Sequence, residues 1–105
     1  MKPLIYGYMR VTDEMDDLEV RLLETQMSAF AEREGFCLTT VFYEYDEGSQ
    51  AAFTELVHEV RRAEARHIVV PSYEQMAESQ IVQALMVETV ALQVGAAVHE
   101  TTDSC

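Results

Sequence analysis

Carboxylates dominate the positions where this chain could do chemistry. Asp13, Glu14, Asp16 and Asp17 form one run and Glu44, Asp46 and Glu47 a second; Glu74 and Glu78 follow, then Glu100 and Asp103, with Arg10 the one clear cation among them. Carboxylates gathered in one cleft can bind a divalent cation, accept a basic peptide, or split their pKa values for acid and base work. The sequence specifies none of these. It has no Asp-x-Asp-x-Asp-Gly loop, and His58, His67 and His99 fall on separate expected elements without ligand spacing. No cofactor or metal is therefore expected. Asp13 to Asp17 has a simpler use at a helix N-terminus, where acids oppose the macrodipole favourably. That use does not extend to the acids after the second and third strands.

The elements that would position these groups follow from the hydrophobic period. Residues 4–11, apolar and aromatic with little alternation, read as a strand buried on both faces, so Tyr6 and Tyr8 are expected to pack rather than to touch ligands. From 16 to 34, Leu18, Leu22, Leu23, Met27, Phe30 and Ala31 recur at helical steps, and Gly35 offers a C-terminal cap. A second strand spans 36–43, turn chemistry occupies 46–49, and a helix covers 51–65 with Phe53, Leu56, Val57 and Val60 on one face. A short strand at 67–71 stops at Pro71, a long helix is expected over 74–94 before Gly95, and a fourth strand over 96–100. The order βαβαβαβ with short connections implies an α/β fold: a three-layer, mainly parallel four-stranded sheet with three helices in flavodoxin-like order. Residues 1–100 make one domain and 101–105 a tail. The acids then gather where the strands end, the edge at which open α/β sheets bind ligands. Arg10 is expected to pair there with Asp46 or Glu74, and Thr12 to cap the first helix.

Composition limits the function classes. With 7 Lys and Arg against 19 Asp and Glu, the chain carries a net charge of -12 and repels phosphate backbones. DNA binding by the chain alone is not expected, because that affinity comes mainly from counterions released by cationic side chains. Cys37 and Cys105 stand far apart without ligand spacing, no stretch approaches a membrane span, and the start is too short for a signal peptide. A cytoplasmic protein with reduced thiols is expected. The helix over 74–94 is apolar around most of its circumference, more than one sheet face can cover. Either neighbours flank it or it docks another protein.

Four segments resemble the catalytic domain of serine recombinases of the resolvase and invertase type. Tyr6-Gly7-Tyr8-Met9-Arg10-Val11-Thr12 is similar to the family's Tyr-x-Arg-Val-Ser strand. Phe30-Ala31-Glu32-Arg33-Glu34-Gly35-Phe36 resembles the end of its first helix, and Asp46-Glu47-Gly48-Ser49 the turn after its second strand. Ile68 to Ser79 parallels a strand and loop that read Ser-Leu-Asp-Arg-Leu-x-Arg in the family. The resemblance implies a resolvase-like fold and a reaction in which a serine attacks a phosphodiester while arginines stabilise the phosphorane charge. Arg10 matches the first arginine and Thr12 stands in the nucleophile's place, a hydroxyl stiffened by β-branching.

Other matched positions depart from the pattern. Gln75 and Glu78 stand where the family has two arginines, Glu74 replaces the preceding aspartate, and Gln50 or Ala51 falls where the arginine before the second helix belongs. Loss of one transition-state donor costs about 10²–10³ in rate. The DNA-binding region that follows in family members is also expected to be missing. The reading is thus a degenerate recombinase domain acting as a non-catalytic interaction or regulatory module, with a protein partner or a second copy. Two alternatives stay open: residual strand exchange through Thr12 and Arg10, and an acidic decoy for a basic DNA-binding partner.

Overall fold

Ile5, Tyr6, Gly7, Tyr8 and Met9 are successive buried residues, which only a strand covered on both faces permits. They form β1 (Leu4–Arg10), one of two inner strands of the computed structural model, which describes residues 2–46 and 48–101. α1 (Asp17–Glu34), β2 (Cys37–Glu44), α2 (Ala51–Ala63), β3 (His67–Val70), α3 (Gln80–Val94) and β4 (Ala97–Glu100) follow, with a short 3₁₀ turn at Tyr73–Gln75. The sheet order is β2-β1-β3-β4, parallel throughout, with Arg10 opposite Glu44 and Val70 opposite Glu100. Right-handed crossovers then place the helices on opposite faces. Met27, Phe30 and Ala31 of α1 pack on Ile5, Met9 and Val69. Phe53, Leu56 and Val60 of α2, with Met86 and Val90 of α3, pack on Tyr6, Tyr8, Ile68 and Val70. Gly7 is required by close packing, because a Cβ there would lie 3.0 Å from Val41 Cγ2 and 3.3 Å from Met27 Sδ.

The three-layer parallel architecture expected from the sequence is present, but the cap of the first helix and the start of the third differ. Asp16, not Thr12, caps α1: its side chain accepts from the Glu19 N–H at 2.8 Å, while the Thr12 carbonyl accepts from Met15 N in a preceding turn. Asp13 and Glu14 lie in that turn, outside the helix they were expected to decorate. The third helix begins at Gln80 rather than 74. Met76 and Ala77 drop into the core at 1% and 6% exposure, which pulls the chain out of helical geometry until Ser79 caps a new start. α3 is not enclosed by neighbours, since Ile81, Leu85 and Leu92 remain exposed. Thr101, assigned to the tail, is buried and its hydroxyl donates to the Pro71 carbonyl; 102–105 lie outside the described residues, as does Glu47. Cys37 is a free, exposed thiol, and no helix among the described residues is long and apolar enough to cross a membrane.

On the α1 side, parallel pairing of β3 with β4 puts His67 and His99 on one face, with Nδ1 of the first 3.1 Å from Nε2 of the second. Phe36 packs on His67 at 4.4 Å between ring centroids, and Phe30 on His99 at 5.7 Å. Burial holds both imidazoles below the ordinary histidine range; His99 and Arg66 lower His67 further, while Glu34 pulls His99 back up. With folded-state pKa values below the unfolded ones, the unfolded chain binds more protons at mildly acid pH. The pair's contribution is full above the unfolded value of about 6.5 and is lost as pH falls through the folded values. Urea titrations from pH 7.5 to 5 are expected to show stability declining more steeply in the wild type than in His67→Gln/His99→Gln. Parallel curves for the two proteins would refute this.

Candidate functional site

The sheet order reverses between β1 and β3, which makes the carboxyl ends of these strands the switch point where open α/β sheets place ligands. Arg10 ends β1 there, half-buried. Its Nε donates to the Met76 carbonyl at 2.6 Å and its Nη2 to the Ser49 carbonyl at 2.8 Å. One guanidinium therefore joins the loop after β3 to the loop before α2. The expected pairing of Arg10 with Asp46 or Glu74 does not occur: the ion pairs among the described residues are Arg33 with Glu34 and Arg62 with Glu59. Loop backbone folds over the arginine and supplies the acceptors instead. Two of its five N–H donors are used in this way.

Glu44 belongs to the same edge by sequence but not by accessibility. It is 4% exposed; its carboxylate accepts from the Tyr8 hydroxyl at 3.0 Å, from Ala52 N at 3.1 Å and from Phe53 N at 3.3 Å. Gln50, at the N-cap of α2, makes no side-chain cap bond, so the end of β2 caps the helix across space. Burial, reinforced by the neighbouring carboxylate against the opposing pull of Arg10, holds the Tyr8 phenol well above its ordinary pKa. Ser49 Oγ accepts from Ala51 N at 3.2 Å, and Glu100 accepts from Tyr73 N at 2.7 Å, capping the 3₁₀ turn. Two of the acids at the strand ends thus hold backbone amides.

The remaining candidates are scattered. Thr12, Asp13, Glu14, Asp46, Glu74 and Glu78 are exposed and Gln75 half-buried. The hydroxyl of Thr12 has no hydrogen-bond partner among the described residues, and its amide contacts Met15 Sδ. No three His, Cys, Asp or Glu among the described residues come together as a metal centre. An open depression lined by Thr40, Phe42, Thr54, Glu55, His58 and Glu59 lies at the middle of β2 and α2, away from Arg10. Sequence reasoning missed the Tyr8–Glu44 pair, the two carbonyls that hold Arg10, and the meeting of His67 with His99. The histidines had a signal: residues an even number of positions from a register partner share its face, and His99 lies two beyond Ala97, the partner of His67, once β3 and β4 are paired.

No family model and no curated protein matches this sequence. Among solved structures, the chain is similar to the C-terminal catalytic domain of ISC1926 TnpA, an IS607-like serine recombinase, with TM-score 0.78 and 11% identity over 93% of this chain and 70% of that one. It is similar to the N-terminal catalytic domain of TP901-1 integrase, with TM-score 0.77 and 14% identity over 96% and 78%. A resolvase family site-specific recombinase from Streptococcus pneumoniae gives TM-score 0.79 and 14% identity over 99% and 75%. The fold is that of serine recombinase catalytic domains.

Proposed function

We propose that the chain is a non-catalytic interaction module on a serine-recombinase scaffold, and that it pairs with a second copy of itself through α3. The outer face of that helix carries the reading: Ile81, Leu85 and Leu92 are 74%, 56% and 77% exposed, and Glu88 is the one charged residue in the helix. These four lie along a single ridge at helical spacing. Their spacing is symmetric about a point between Leu85 and Glu88. A two-fold axis through that point sets Ile81 against Leu92, and Leu85 against the stem of Glu88, in an antiparallel pair. Such an isologous contact buries apolar surface that monomers rarely leave open.

Three features support the absence of strand cleavage. Arg10 is committed to two backbone carbonyls. Among the described residues, the Thr12 hydroxyl has no hydrogen-bonded base of the kind a weak hydroxyl nucleophile needs. Glu74 and Glu78 put carboxylates at positions that the resemblance gives to an aspartate and an arginine, and a carboxylate in place of an arginine repels phosphate.

Sedimentation equilibrium tests the pairing. The wild type is expected to dimerise, and Leu85→Glu to weaken the dimer at least about tenfold, or 1.4 kcal/mol, with circular dichroism unchanged. Added salt should strengthen association, because each copy carries a net charge of -12 and screening removes their repulsion. An acidic decoy would show the opposite, salt weakening its hold on a basic partner. A wild type that stays monomeric overturns the pairing. A covalent DNA adduct that disappears in Thr12→Ala overturns the non-catalytic reading.

A further inference from the structure

Away from the strand-end edge, the face that α1 leaves at β3 and β4 holds two imidazoles nose to nose. Their nearest nitrogens, Nδ1 of His67 and Nε2 of His99, are 3.1 Å apart, with ring centroids 5.3 Å apart and planes inclined by 33°. A neutral pair in this arrangement shares one proton, one ring donating and the other accepting. The same separation suits a metal ion. With metal–nitrogen bonds of about 2.0–2.1 Å, nitrogens 3.1 Å apart subtend about 95–102° at the ion. That angle lies between a square or octahedral cis pair and a tetrahedral one.

We propose that His67 and His99 form a two-imidazole site for one divalent transition-metal ion of the zinc, nickel and copper class, with water completing the shell. Imidazole nitrogen is the ligand type these ions favour over magnesium or calcium. On binding, the ring that donates the shared proton changes tautomer, its proton passing through solvent to its other ring nitrogen, and each ring turns by about 40° so that both lone pairs meet the ion rather than each other. Both rings are half-buried, so each has an open side, while Phe36 and Phe30 back them from the protein side. The charge around the pair comes from Glu34, whose field on His99 favours a cation, and from Arg66, whose field on His67 opposes one. The net charge of -12 adds to the side of Glu34. This site is independent of α3 and of Arg10.

The test is calorimetric titration of Cys37→Ser/Cys105→Ser protein, which removes thiol ligands, with zinc and nickel chlorides after treatment with EDTA. One ion per chain is expected. His67→Ala and His99→Ala should each weaken binding at least about tenfold, and His58→Ala should leave it unchanged. Long-range proton–nitrogen spectra of the wild-type histidines guard against a variant that folds poorly: the nitrogen resonances of His67 and His99 should move on zinc addition and that of His58 should not. Absence of binding at millimolar metal, binding retained in the double histidine variant, or shifts confined to His58 would each overturn the site.

Discussion

Glu44→Ala is expected to lower the stability of the domain by about 3–4 kcal/mol, the largest loss from any single polar substitution in the molecule. The carboxylate is 4% exposed and accepts from one hydroxyl and two helical amides, at 3.0, 3.1 and 3.3 Å. Removing it leaves the Tyr8 hydroxyl buried without its acceptor, at a cost of about 1–3 kcal/mol. The first turn of α2 loses the group that does the work of an N-cap, worth about 0.5–2 kcal/mol, and Gln50 makes no cap bond in its place. Thermal unfolding should move down by roughly 12–32 °C, at about 4–8 °C per kcal/mol for a domain of this size. Tyr8→Phe removes only the hydroxyl donor and leaves the amides capped, so its cost should be about 1 kcal/mol. Glu44→Gln should fall between the two, because one oxygen remains while the new NH₂ faces amide donors. Urea denaturation of the three variants measures all of this. A loss below 1 kcal/mol for Glu44→Ala would mean that water or a shifted Gln50 caps α2 as well as the carboxylate does.

Glu44 also marks where reading the chain reaches its limit. Strands and the ends of α1 were legible because their signals are local: β-branched and aromatic runs, the left-handed glycines Gly35 and Gly95, and Pro71 closing β3. Parallel pairing followed from the alternation of strand and helix. What a carboxylate does after a strand depends instead on whether the next helix starts over it, and that is a tertiary fact. An acid at the end of β2 looks the same in sequence whether it faces solvent or caps α2. The start of α3 was hidden for a related reason. Helical periodicity runs unbroken from 74 onward, yet burial of Met76 and Ala77 outweighs it and delays the helix to Gln80. His67 and His99 are 32 residues apart and meet only through strand register, which no local pattern records.

The same limit bears on the positive group at the switch point. Read as a sequence, Arg10 among acids suggests an ion pair; in the fold, its partners are carbonyls of Met76 and Ser49, which carry no side-chain signature. A guanidinium that binds a transferring phosphoryl group presents its fork to an open site, whereas Arg10 spends two donors holding loops. The acids were displaced in the same direction, since Glu44 and Glu100 hold backbone amides rather than facing a ligand. Arg10, Glu44 and Glu100 thus fasten loops and a helix start to the ends of the sheet.

Arg10→Ala should consequently act on stability and on the loops. Hydrogen bonds to a charged donor contribute about 1.5–3 kcal/mol each. With half-exposure discounting both, the expected loss is about 2–3 kcal/mol in total. Arg10→Lys should recover less than half of it. An ammonium is a point donor on a flexible stem, and it cannot serve two carbonyls that diverge from the fixed fork of a guanidinium. Hydrogen exchange locates the effect: amides of 72–79 and 48–52 should exchange faster in Arg10→Ala, whereas those at the centre of β1 should change only with global stability. The result would also separate the two roles open to this arginine. If Arg10 were held for phosphoryl chemistry, alanine would remove a DNA-joining activity while leaving loop exchange and the urea midpoint near their wild-type values. If it is the clamp the geometry describes, both observables move together and there is no joining activity to lose.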